Sequence, residues 1–143
     1  MPTASAFGRD VEDDLPFAAR TQLPLLITGS RLAAAWIAVW LHRQRFTDDT
    51  PFVEIECTHS EPLIRRSLET ALDAAAQRGT VVLYNIDALS SPLQHLVAES
   101  LVASGWRVVS ATSVDLYGLC CSHGFDEQAF YRLNTLHIIV SSP

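Results

Sequence analysis

Five short, mainly apolar runs constrain this chain most: Leu23–Thr28, Phe52–Cys57, Thr80–Ile86, Arg107–Thr112 and Leu136–Val140. A strand that is apolar throughout, as at Val81-Val82-Leu83, needs cover on both faces, the situation of a parallel sheet between two helical layers. The segments between the runs supply those helices. Arg31–Arg45 places Leu32, Trp36, Val39 and Trp40 on one stripe. Pro62–Gln77 does the same with Leu63, Leu68, Ala71, Leu72 and Ala75, and Gly79 is the expected stop. Ser91–Ala103 opens on a Ser-Pro pair and ends before Gly105. A last helix is expected over Asp126–Leu133. Within residues 1–22, the amphipathic stretch Val11–Arg20 is expected to cover one edge. The predicted fold is α/β, a three-layer, doubly wound sheet of five parallel strands forming a single domain over residues 1–143.

Composition excludes several classes of function. Net charge is −6, and the ten basic residues, every one an arginine, are scattered along the chain. That is the wrong footprint for nucleic acid. No apolar run approaches the ~20 residues of a membrane span. Glu12, Asp13 and Asp14 break the basic-then-apolar order of a signal peptide, so a cytoplasmic location is expected. Cys57 reads as a small buried residue. Cys120-Cys121-Ser122-His123 has half the donors of a metal site, but no second Cys/His cluster exists to complete it, so no metal is expected. The five histidines show no ligand spacing. Trp36, Trp40 and Trp106 read as core or edge aromatics, with Trp40 the candidate interface residue if exposed.

In such sheets a ligand sits outside the carboxyl ends of the strands. Those ends read Leu26-Ile27-Thr28-Gly29-Ser30, then Leu83-Tyr84-Asn85-Ile86, then Ala111-Thr112-Ser113. With Pro51-Phe52-Val53-Glu54-Ile55-Glu56-Cys57 and the late string from Gly124 through Phe130-Tyr131-Arg132-Leu133-Asn134, they stand in one order. In that order they resemble the central AAA+ domain of NtrC-type, sigma-54-dependent transcription activators. The family pattern runs L-I-T-G-E-S-G-T-G-K-E, P-F-V-x-V-N-C, G-T-L-F-L-D-E-I, A-A-T-N and F-R-x-D-L-Y-Y-R-L-N. The resemblance spans about Leu23 to Val140 and implies a P-loop NTPase core of the AAA+ large-subdomain type, without the helical lid.

The resemblance also implies ATP and magnesium, and the residues for them are missing. Gly29-Ser30 runs straight into Arg31-Leu32-Ala33-Ala34, and Ala34 aligns with the phosphate-binding lysine. Gly29, Ser30 and Arg31 are what remains of a phosphate loop. Tyr84-Asn85 stands at the Asp-Glu pair that would hold magnesium and position water, and neither side chain is an anionic ligand. Asp87 lies two residues on, where a turn cap is the commoner role. Ser113 falls at the sensor asparagine. Of the family's two trans-acting arginines, the first falls at Asp126 and the second is kept as Arg132. The stretch from Glu61 to Gly79 is too short for the loop insertion that carries the sigma-54-touching motif. The family's helical lid and helix-turn-helix follow the fifth strand and fall outside residues 1–143, either lost or carried by a longer parent chain.

Phosphoryl transfer rests on positioned cations and metal. The expectation is therefore a catalytically inactive regulatory module with no catalytic residues and no cofactor. Its partner would be a protein, either an AAA+ relative or a second copy, engaged through Arg132 and Trp40. The alternative is a nucleotide or anion sensor that uses Gly29, Ser30 and Arg31 without hydrolysis. A phospho-acceptor receiver domain shares the strand alternation, and Asp87 and Thr112 imitate two of its parts. It lacks the acidic pair after the first strand, and the chain has no lysine.

Overall fold

The computed structural model describes the backbone of residues 9–140 and the side chains of residues 14–140. Five strands, β1 (Leu25–Thr28), β2 (Phe52–Glu56), β3 (Thr80–Tyr84), β4 (Arg107–Thr112) and β5 (Leu136–Ile139), form one sheet. Their order is β2-β3-β4-β1-β5 and every pairing is parallel. Register is continuous across the middle, with Leu25 opposite both Val109 and Leu136. The chain leaves β1 toward one edge and leaves β4 toward the other. The crevice between the carboxyl ends of β1 and β4 is thus the switch point where a ligand site is expected.

Each face of the sheet has its own core. Helices α1 (Arg9–Ala19) and α2 (Arg31–Arg45) cover Leu25, Ile27, Val82, Tyr84, Val109 and Ile138. On the other face, α3 (Glu61–Asp73), α4 (Ser91–Leu96), α5 (Leu116–Cys121) and α6 (Glu127–Leu133) cover Leu26, Ile55, Val81, Leu83 and Val108. Helix α1 packs on α2 and β5, the edge cover expected of Val11–Arg20. Buried Arg107, first in β4, donates from Nη1 to the Ala18 carbonyl at 2.9 Å and ties the sheet to the end of α1.

Several local expectations shift. The stripe that α2 buries is Ala33, Ala34, Ile37, Ala38 and Leu41, not one through Leu32, which is 81% exposed. Small alanines let the helix lie close to the sheet, so the face follows them and not the bulkiest residues. In α3 the buried positions are Ile64, Leu68 and Ala71, while Leu63 faces out. That helix ends at Asp73, well before Gly79. Gly79 has φ +128°, and a Cβ there would stand 2.2 Å from the Pro51 carbonyl oxygen. Its task is to let the chain pass Pro51 into β3. Ser90, not Ser91, is the N-cap of α4, which continues as a π turn over Val97–Leu101. Helix α5 lies where the sequence reading had no separate element.

Candidate functional site

At the switch point, Ser30 caps α2, its Oγ accepting from Ala33 N at 3.1 Å. The Gly29 N–H donates to the Thr112 carbonyl at 2.9 Å, extending the sheet. Two backbone donors of the shortened loop are therefore engaged inside the fold. Ala34 is buried in the core under α2 and is not among the residues that line the recess at the switch point.

Arg31 turns the other way. Its guanidinium lies 4.0 Å from the centre of the Tyr84 ring and pairs with Glu56. Glu56 in turn accepts from Asn85 Nδ2 at 2.8 Å and from Thr58 Oγ1 at 3.0 Å. Burial works against ionising Glu56, but the donors Asn85 and Thr58, with Arg31 beside them, outweigh it and hold the carboxyl below its ordinary value. The Tyr84 hydroxyl donates to Glu54 Oε2 at 2.7 Å. Burial first, and that hydrogen bond second, push the phenol far above its usual range. Asn85 makes its contact from a left-handed backbone, φ 56° and ψ 51°, a conformation asparagine tolerates better than most residues.

Nearby acids are committed too. Asp87 accepts from Thr112 Oγ1 at 2.7 Å, which locks the turn after β3 to the end of β4. The recess left between Gly29, Arg31, Tyr84, Asn85, Thr112 and Ser113 holds about 70 Å³. Asp126 caps α6, its Oδ2 accepting from Ala129 N at 2.9 Å. Arg132, in the last turn of α6, is exposed and reaches the Ala98 carbonyl at 3.4 Å. Trp40 is half-buried against the core of α1 and α2, so it is not the open aromatic an interface role presupposes. Among the described residues no group of three metal-ligating side chains comes together.

The structure thus gathers Gly29, Ser30 and Arg31 with Tyr84, Asn85 and Ser113, and leaves Arg132 and Trp40 on other surfaces. Glu54 and Glu56 are the site residues the sequence reading did not single out. Their signal was present: two carboxylates at alternate positions of an otherwise apolar strand share one face, and that face meets α2.

The family model for the sigma-54 interaction domain matches residues 3–142. The chain belongs to that family. Solved structures with the same fold include NtrX from Brucella abortus in complex with ATP, at 21% identity and TM-score 0.78. That match covers 98% of this chain and 38% of that one. The complex of the same protein with ADP gives 21% identity and TM-score 0.76, over 98% of this chain and 36% of that one. The P-loop NTPase domain of a sigma-54 transport activator from E. coli gives 20% identity and TM-score 0.65, over 84% of this chain and 98% of that one. At these identities the likeness shows the AAA+, P-loop NTPase fold alone. This sigma-54 interaction domain spans little more than a third of the length of NtrX. No curated protein matches it. Among its described residues no helix is long and apolar enough to cross a membrane.

Proposed function

We propose that this sigma-54 interaction domain is a regulatory, partner-binding AAA+ core that does not turn over ATP. The observation that carries this reading is the Arg31–Glu56–Asn85 network with Tyr84 and Glu54, which ties the start of α2 to the ends of β2 and β3 through contacts internal to the chain. A nucleotide with magnesium needs a cation on its terminal phosphates and hard anionic ligands for the metal. The residues present do not fit that group. Ala34 is buried at the lysine position, Tyr84 is engaged with Glu54, Asp87 is held by Thr112, and the recess between Gly29, Asn85 and Ser113 holds about 70 Å³. Asp126 caps a helix where the first trans-acting arginine would stand.

The partner is a protein, an AAA+ relative or a second copy, in the cytoplasm, and Arg132 is the side chain for docking. A second reading, anion sensing, is favoured by one feature. The Arg31 side chain is 55% exposed, so an incoming anion can compete with Glu56 for it in high-dielectric surroundings. Calorimetric titration with ATP and ADP, with and without magnesium, separates the two. The expected result is no heat, no thermal shift and no phosphate release. Micromolar binding without turnover would overturn the first reading in favour of the second, and turnover would overturn both.

A further inference from the structure

On the sheet face opposite α2, the carboxyl ends of β1 and β5 emerge from beneath α5 and α6 and leave a groove of about 590 Å³. Its floor is Thr28, His137 and Ile139, with Thr28 Oγ1 and His137 Nε2 joined at 2.8 Å. An aromatic wall rises from it. Tyr117 and Phe130 have ring centres 5.8 Å apart, and Phe130 and Tyr131 follow at 5.4 Å. Four of the large apolar side chains that face solvent, Val114, Tyr117, Tyr131 and Ile139, line this one depression.

The charges around the groove have one sign. Asp115 stands on the lining, and no lysine or arginine does. Its Oδ1 accepts from Gly118 N at 3.1 Å to cap α5, and among the described residues no cation pairs with it. His137 does not supply one: burial holds its imidazole below the ordinary value, although Asp115 pulls the other way. Asn134 also lines the groove, with Oδ1 buried and without a partner among the described residues. Its amide can therefore turn toward a ligand without giving up a bond at that oxygen.

We propose that this groove binds a small aromatic amine, its ring against Tyr117, Tyr131 and Ile139 and its ammonium toward Asp115. The volume suits a compact organic ligand, since such sites commonly run to some ~300–1,000 Å³ with an apolar lining and a few polar anchors. A protonated amine is attracted both by the carboxylate and by the faces of the tyrosine rings. A carboxylate or phosphate ligand meets Asp115 with no compensating cation. This site lies on the opposite face from the Arg31 network and does not depend on the reading given for that network.

The test uses the 143-residue chain, with its aromatic and methyl NMR signals followed during titration with tryptamine. Indole-3-propionate, the same ring with an anionic tail, is the comparison. Tryptamine is expected to shift Tyr117, Tyr131 and Ile139 saturably, at least about tenfold more tightly than indole-3-propionate. Asp115→Asn keeps a competent helix cap and is expected to abolish that preference. Ile139→Arg, at an exposed edge position, is expected to block binding by occupying the groove. Equal affinity for the two compounds, indifference to Asp115→Asn, or no saturable shift with tryptamine overturns the proposal. So do shifts of the same residues that vanish on dilution of the protein alone, which would make a second copy the occupant.

Discussion

His42 shows how much one side chain can settle. It is buried at the end of α2, its Nδ1 2.8 Å from Thr80 Oγ1 and its Nε2 3.2 Å from the Thr50 carbonyl oxygen. A carbonyl only accepts, so Nε2 carries the proton and Nδ1 accepts from the threonine hydroxyl. Burial lowers the pKa of the ring below 6.5, against the pull of the Thr50 carbonyl and with help from Arg43. A histidine whose folded value is depressed contributes stability above its unfolded value and loses it as pH falls through the folded one. Urea midpoints should therefore drop between about pH 6.5 and the lower folded value, and drop less in His42→Gln. Equal pH dependence in the two proteins would show that His42 is not the source. A packing role for His42 followed only from the resemblance, through a histidine common in the family's first helix, and its bond to Thr80 was not legible at all, because that contact joins positions 38 apart. Arg31 is a parallel case. Its place at the start of α2 was readable, but its capture by Glu56 depends on β2 lying beside β3, which the local sequence does not encode.

At the scale of elements, the strands were legible as short, mainly apolar runs between helical segments, and β4 matches its expected bounds, Arg107–Thr112. The helical faces were less so. A stripe predicted from the largest residues in α3 included Leu63 alongside Leu68, yet Leu68 is fully buried and Leu63 is 48% exposed. The reason is that helix ends and crossing angles, set by tertiary contacts, rotate the buried face. Trp106 donates from Nε1 to the Ala71 carbonyl at 3.0 Å and fixes the last turn of α3 in that rotation. Truncation should separate the two leucines: Leu68→Ala is expected to cost about 2–5 kcal/mol, and Leu63→Ala about 0.5 kcal/mol or less. Denaturant unfolding of both variants measures this, and similar losses would mean that α3 buries the face through Leu63 after all. Helix α5 escaped the sequence reading because six residues with a glycine in the middle carry too little periodicity to be seen.

For the molecule as a whole, the fold sets Arg31 and Arg132 on opposite faces of the sheet. Arg31, beside β1, is drawn into contacts with Tyr84 and Glu56 on one face of the sheet. Arg132 sits on α6, which covers the other face, and among the described residues its one hydrogen bond is long, 3.4 Å to the Ala98 carbonyl. An exposed guanidinium held this loosely contributes little to folding but keeps its donors for a partner carboxylate or carbonyl. Arg132→Ala should therefore leave unfolding within about 0.5 kcal/mol of the parent. In the proposed role, the same change should weaken association by about tenfold, the scale of a modest interface hot spot. Sedimentation velocity over a concentration series reads self-association, and capture on an immobilised, ATPase-competent sigma-54 activator core reads the AAA+ partner. Arg132→Lys supplies the control, because it keeps the charge and removes the planar fork. If the lysine variant binds like the parent and the alanine variant does not, charge alone is what the partner reads. If alanine binds as well as arginine in both assays, α6 is not the docking surface, and the partner must be sought on another face of the sheet.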